Sequence, residues 1–161
     1  MGKVSFLKLN GNIADQVINL KVKESQKHLI DNNAEWIIQA IFNEDSISYG
    51  IYVDNKPAGL ISLIDPRILE DFDEHFQKDY LYLWRVMVDY NFQGLGLGKQ
   101  AINFSKQYAS LVGLQGVSLT TMDKEDGNAL SIYQKLGFAP TGRRLDDEIE
   151  LIFNFEHIHL A

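Results

Sequence analysis

Tyr80-Leu81-Tyr82-Leu83-Trp84-Arg85-Val86-Met87-Val88, then Asp89-Tyr90-Asn91-Phe92, then Gln93-Gly94-Leu95-Gly96-Leu97-Gly98-Lys99, is the stretch on which the fold depends. Its first nine residues are almost continuously apolar and aromatic, which predicts a strand buried on both faces. Three glycines at alternate positions follow. A helix is expected over 99–112, apolar at Ala101, Ile102, Phe104, Tyr108, Ala109 and Leu111 and closed near Gly113. A glycine turn between a buried strand and a long helix suits a phosphate, because glycines let the backbone approach an anion and the first helical N–H groups point at it. A dinucleotide fingerprint counted from Gly94 needs a small residue where Lys99 stands, and a Walker A loop needs Ser or Thr where Gln100 follows Gly98-Lys99. The next strand ends in Thr120-Thr121, without the acid of a ribose site. Both nucleotide signatures fail on residues. The plainer alternative is a tight turn that uses glycine for positive φ.

Working outward, a first strand is expected over 3–9, a helix over 13–22, a polar loop or broken helix over 24–33, and a helix over 34–42 capped at Asn32 or Asn33. Runs 46–53 and 58–64 flank Asp54-Asn55-Lys56-Pro57, a hairpin signal. An acidic loop carrying Asp65, Glu70, Asp71, Asp73, Glu74 and Asp79 leads back to the central strand, and it reads as exposed. Beyond it come a strand over 117–121, a helix over 126–136 closed by Gly137, and strands from Phe138 and over 149–155. Without repeats or linkers, 1–161 reads as one mixed α/β domain.

Of 161 residues, 45% are apolar, including nine Phe, seven Tyr and two Trp, which argues against disorder. No apolar run is long enough for a membrane span, and the N-terminus lacks the apolar stretch of a signal peptide, so a soluble cytoplasmic protein is expected. There is no cysteine, which excludes disulfides, thiolate zinc sites and a cysteine nucleophile. Fifteen basic against 22 acidic residues give a net charge of −7, unfavourable for nucleic acid and suited to a cationic ligand or simply to solubility.

The glycine segment resembles the acetyl-CoA signature of GNAT-type N-acetyltransferases, Q/R-x-x-G-x-G/A, with Gln93, Gly96 and Gly98 at its fixed positions. A second signature of that family falls on Ala129, Tyr133, Lys135, Gly137 and Phe138. The resemblance implies an α/β (α+β) fold: a mixed, mostly antiparallel seven-stranded sheet with helices on both faces, splayed between the strands at 80–88 and 117–121. It implies that acetyl-CoA enters the wedge, its pantetheine along the backbone of Val86, Met87 and Val88. The pyrophosphate then sits on Gln93, Gly94, Leu95, Gly96, Leu97, Gly98 and Lys99, with Lys135 also toward the cofactor. Where the family carries Asn seven residues before its tyrosine, Asp126 stands here and Asn128 two places later. Either is a candidate, and helix capping by Asp126 is the alternative.

By the same resemblance Tyr133 is the general acid toward the CoA sulfur, a phenol being protonated at neutral pH, or else an aromatic packing residue. The N–H of Val88 would meet the oxyanion. The central strand offers no carboxylate base, so a water relay is expected, with Glu24 or Glu35 as candidates. Within the family, 22–33, 52–59, Trp84-Arg85 and Phe92-Gln93-Gly94 are most similar to bacterial spermine/spermidine acetyltransferases. That implies a small cationic amine bound by Glu24, Asp31, Glu35, the acidic loop, Tyr80, Tyr82 and Trp84. Other acceptors (a protein amine, an aminoglycoside, an amino acid) and a silent acyl-CoA sensor remain alternatives. His28 and His75 read as isolated, and His157-Ile158-His159 lacks a third metal ligand, so no metal is expected. Neither is nucleic acid or a membrane. Strand 149–155 is expected to be exposed and to support a homodimer.

Overall fold

Strands β1 (Val4–Lys8), β2 (Ser46–Val53), β3 (Lys56–Ile64), β4 (Tyr80–Val88), β5 (Gly116–Met122), β6 (Ala139–Leu145) and β7 (Glu148–Asn154) build one mixed sheet. Its order is β1-β2-β3-β4-β5-β7-β6. All neighbours are antiparallel except β4 and β5. The computed structural model describes residues 2–30, 32–43, 45–71 and 73–155; Asp31, which the sequence offers beside Glu24 and Glu35 as an acid for a cationic amine, and the His157-Ile158-His159 motif lie outside them. The β2–β3 hairpin turns on Asp54 and Asn55, both at positive φ (48° and 68°), the residue types that two-residue hairpins favour.

Each face of the sheet carries its own core. Helix α3 (Leu97–Leu111) buries Leu97, Ala101, Ile102, Ser105 and Ala109, one helical stripe, against Ile51, Ile61, Leu63, Leu81, Val117 and Leu119. Leu130, Tyr133 and Leu136, from helix α4 (Leu130–Lys135) and its C-terminus, pack on the same core. On the opposite face, α1 (Gly11–Val17) and α2 (Asn33–Phe42) cover Tyr52, Leu60 and Met87 with Ile13, Val17, Trp36 and Ile37. Fully buried Trp36 donates its indole N–H to Ser62 Oγ at 2.6 Å and so pins α2 to β3.

Three helix boundaries and the place of one strand differ from the sequence expectation. Helix α1 ends at Val17, and the Lys21 N–H turns instead to the Asp89 carboxylate at 2.9 Å, carrying the chain across the end of β4. Helix α3 starts two residues early, because Gly96 in the left-handed region turns the backbone directly into it. Helix α4 starts at Leu130 and not at Asp126: Asn128 Oδ1 accepts the Leu130 N–H at 3.0 Å, and Asp126 stays exposed outside the helix. Strand β7 is not an exposed edge, since β5 and β6 flank it, so the expected C-terminal pairing surface for a homodimer is already occupied within the chain. Among the described residues, no helix is long and apolar enough to cross a membrane.

The acidic loop is tied down by a buried carboxylate. Glu150, with no exposure, accepts from Gln77 Nε2 at 2.8 Å, Thr141 Oγ1 at 2.7 Å and Arg143 Nη1 at 2.7 Å, while Arg143 Nη2 also donates to the Glu74 carbonyl. Removing the cation would leave a buried charge held by neutral donors alone. Arg143→Ala should therefore cost about 3 kcal/mol of unfolding free energy in urea titration.

Candidate active site

Strands β4 and β5 pair only at Tyr80–Gly116, Leu81–Val117 and Tyr82–Ser118. Two residues further on, β4 carries a bulge: Ser62 faces Arg85 and Leu63 faces Leu83, leaving Trp84 unmatched. A bulge bends and twists its strand, so β4 follows β3 while β5 continues alongside β7 as far as Met122. The two strands part and a cleft of about 730 Å³ opens between them. The expected splay is therefore present, and its floor is the Tyr82–Ser118 pair.

The β4 wall offers backbone. The Asp89 N–H donates to the Ala58 carbonyl at 2.8 Å, and with Gly59 opposite Val88 the antiparallel alternation turns the Met87 backbone groups toward β3. The Val86 and Val88 groups consequently face the cleft. Val88 C=O accepts Gln93 Nε2 at 3.0 Å, and the same amide donates to Gln26 Oε1 at 2.9 Å. Gln93 thus ties the 3-10 segment Glu24–Leu29 to the end of β4.

Past Gln93, Gly94 and Gly96 have φ of +79° and +82°, and a Cβ placed at Gly94, Gly96 or Gly98 would meet nothing within 4 Å. The turn is open to solvent on the side a ligand would use. Gly96 gives α3 no side-chain cap, so its first amides are available to an anion. Leu95 and Lys99 are exposed there, and Leu97 is buried in the core.

Tyr133, Asn128 and Glu148 line the opposite wall, and Tyr82 and Thr120 its inner end. Burial pushes the Tyr133 phenol up to about 12, and the Glu148 charge adds to the rise. The Tyr82 phenol also stands at about 12, raised by burial against a lowering hydrogen bond with Thr120 Oγ1 at 3.0 Å. The Glu148 charge raises both phenols, and all three groups line the cleft. Trp84 lines the cleft as well, but the Arg85 guanidinium already stacks over its ring at 4.7 Å.

Other expectations fare differently. Glu24 is exposed, paired with Lys27 at 2.6 Å and absent from the cleft wall; Glu35 lines an adjoining pocket of about 500 Å³ that shares Met87 with the cleft. Asp126 and Lys135 are exposed outside the cleft, whereas Asn128 is on its wall. Neither His28 nor His75 is isolated. His28 Nε2 meets the Asp126 carbonyl at 3.2 Å, and His75 Nδ1 meets Asp73 Oδ1 at 2.6 Å. Of the acids expected at the amine in the 65–79 loop, Asp73 does line the cleft, together with His75, which was read as isolated, and Glu148, which the residue pattern did not single out. The alternation Glu148-Ile149-Glu150-Leu151 and the Asp-x-His spacing were their available signals.

Residues 15–138 match the family model for the acetyltransferase (GNAT) family. The chain belongs to this family and is an N-acetyltransferase. An uncharacterized N-acetyltransferase of Staphylococcus epidermidis is 29% identical over 108 residues, 66% of this chain and 73% of that one. In fold the chain is similar to the PaiA N-acetyltransferase of Thermoplasma acidophilum, solved in complex with coenzyme A (TM-score 0.68, 16% identity, 95% and 99% of the two chains). A Vibrio cholerae spermidine N-acetyltransferase SpeG chimera has TM-score 0.67 at 17% identity over 95% and 96%. An aminoglycoside 6'-acetyltransferase type Ii has 0.68 at 18% over 94% and 96%. The fold does not choose between their amines.

The raised phenols give a pH signature. A native phenol that holds its proton to about 12, against about 10 when unfolded, contributes stability that is complete below pH 10 and lost as pH rises through 12. Stability should fall across that window, by up to about 1.4 kcal/mol per pH unit for Tyr82. Tyr82→Phe should flatten the fall in urea titrations at pH 9 to 12.

Proposed function

We propose that this enzyme moves the acetyl group of acetyl-CoA directly to a small cationic amine, a polyamine such as spermidine or spermine being the acceptor class. One arrangement carries the reading. The open backbone edge at Val86 and Val88 runs between the uncapped start of α3 and the phenol of Tyr133. Such an edge suits an extended ligand that is anionic at one end and acylated at the other.

In this reading the amides of Gly94 to Lys99 take the pyrophosphate, helped by the charge of Lys99. Val86 and Val88 bond the pantetheine in place of the β5 partner that β4 has lost. Met87, its backbone facing β3, contributes strand position only. The Val86 N–H, the cleft-facing amide farther from the glycine turn, is then the donor for the thioester oxygen as the nitrogen adds, in place of the Val88 N–H expected from the sequence. Asn128, held by the Glu125 carbonyl at 2.7 Å, shapes the opposite wall. A phenol at about 12 stays protonated across the working pH range. A thiol ionises near 8.5, so outright transfer from Tyr133 to the sulfur is uphill by roughly 5 kcal/mol. Tyr133 then acts by hydrogen-bonding the departing sulfur and passing on a proton that it receives at the same time. With no cysteine in the chain, no acetyl-cysteine intermediate forms, and in this reading donor and acceptor are bound together.

For the acceptor, Glu148 replaces Glu24 and Glu35 as the carboxylate that meets an ammonium, with Tyr82 and Phe76 as aromatic walls. Lys27 and Arg85 also line the cleft, and Arg85 is engaged with Gln39 Oε1 at 2.5 Å.

Thiol release from acetyl-CoA across a panel of spermidine, spermine, an aminoglycoside and a lysine peptide tests the reading. Spermidine or spermine should exceed the others in kcat/KM by at least about tenfold, about 1.4 kcal/mol of discrimination. A flat panel removes the polyamine acceptor, and binding without thiol release on any amine removes the enzyme reading. Tyr133→Phe should lower kcat about 100-fold while acetyl-CoA affinity stays within about twofold.

A further inference from the structure

We propose that His75, oriented by Asp73, is the base that takes the proton from the acceptor ammonium; this rests on the acetyl-transfer reading above and supplies the base that the central strand lacks. An alkylamine is protonated at neutral pH and cannot add to a thioester until it loses a proton, so acetyl transfer requires a base within reach of the acceptor.

Three observations converge on this pair. First, Asp73, His75 and Phe76 line the same cleft as Tyr82, Tyr133 and Glu148. The Phe76 ring stands edge-on to Tyr82, centroids 5.0 Å apart, which seats this loop at the inner end of the splay. Second, Asp73 Oδ1 accepts both the His75 backbone N–H at 2.8 Å and the ring Nδ1 at 2.6 Å. A carboxylate on Nδ1 fixes the tautomer with its proton there and leaves Nε2 as the free acceptor. Asp73 is itself held below the usual carboxylate range, first by the His75 backbone bond and then by the ring. Third, the loop is fastened on both sides of His75, by Arg143 on the Glu74 carbonyl and by Gln77 on buried Glu150. A solvated acidic loop needs no such anchor; a base that must be positioned does.

The protons balance. His75 Nε2 takes one from the acceptor ammonium, and the freed nitrogen forms its bond to the acyl carbon. As the C–S bond breaks, the second nitrogen proton passes through the Tyr133 hydroxyl to the sulfur. His75 then returns its proton to water. The products are the amide, a free thiol and one proton released. The charged and titratable groups sharing this end of the cleft are Asp73 on the same loop, Tyr82 and Arg85 of β4, Glu148 of β7 and Tyr133 of α4. Asp73 is a positioning residue, since it acts through the imidazole.

His75→Gln should lower kcat about 100-fold, leave acetyl-CoA affinity unchanged, and abolish the acidic limb of the kcat/KM profile. Added imidazole should restore part of the activity of His75→Gly. Asp73→Asn should lower kcat less than His75→Gln does, because the base remains and only its orienting acceptor is lost. Independently of turnover, nitrogen-15 spectra of the imidazole, assigned by difference from His75→Gln, should show Nδ1 protonated and Nε2 bare above that limb, and Asp73→Asn should mix the tautomers. Full kcat in His75→Gln with only KM raised, loss of the limb in Glu148→Gln instead, or a bare Nδ1 overturns the proposal. A wild-type enzyme that acetylates no amine fails the wider reading, whereas an active wild type with unaffected His75 variants fails this one alone.

Discussion

Three pairs of parallel strand hold β4 to β5, and beyond Tyr82 and Ser118 the two strands separate. Backbone N–H and C=O groups must be bonded somewhere. On one side of the opening β4 keeps β3, and on the other β5 keeps β7, so each strand is satisfied along one edge only. The exposed edge at Val86 and Val88 is therefore a sheet edge inside the molecule, ready for an extended ligand in place of a strand. The bulge at Trp84 sits where the separation begins and gives it a local cause. Everything of chemical interest is arranged around that opening: the glycine turn at its mouth, Tyr133 on its far wall, and the Asp73–His75 loop at its inner end.

Opposite electrostatic demands are met by different parts of the chain. A net charge of −7 is unfavourable for a phosphorylated ligand in general, yet the α3 terminus presents backbone donors whose field is local and fixed. The negative side chains lie elsewhere. Glu148 faces the cleft, and Glu150, two residues along the same face of β7, is buried and anchors the loop that carries His75. One strand thus supplies both a charge for the site and the fastening that holds a second site group in place.

Much of this was legible from residue order. The continuous apolar run of β4, the alternate glycines and the long apolar stripe of α3 specified a strand, a turn and a helix, and each is present within a residue or two. These are local signals: periodicity and positive φ belong to short segments. The end of α1 was less legible because a distant partner, Asp89, takes the chain that leaves it, whereas α4 starts late for a local reason, the bond from the Leu130 N–H to Asn128 where Asp126 was the expected cap. Glu24 and Glu35 have the right charge, but Glu24 pairs with Lys27 and Glu35 lies in the neighbouring pocket. Charge is visible in a sequence; the direction in which it points is not.

By itself, then, the sequence determined the class of fold, the glycine turn ahead of α3 and the absence of a cysteine chemistry, since each follows from residue types or from their fixed short spacings. Tertiary structure alone decided which groups meet across the opening. Asp73 and His75 reach the cleft only because Arg143 and Glu150, some seventy residues away along the chain, hold their loop there. Glu148 joins Tyr82 and Tyr133 only because β7 lies beside β5 and not at an edge. Such meetings depend on long-range pairing, and no local spacing encodes them.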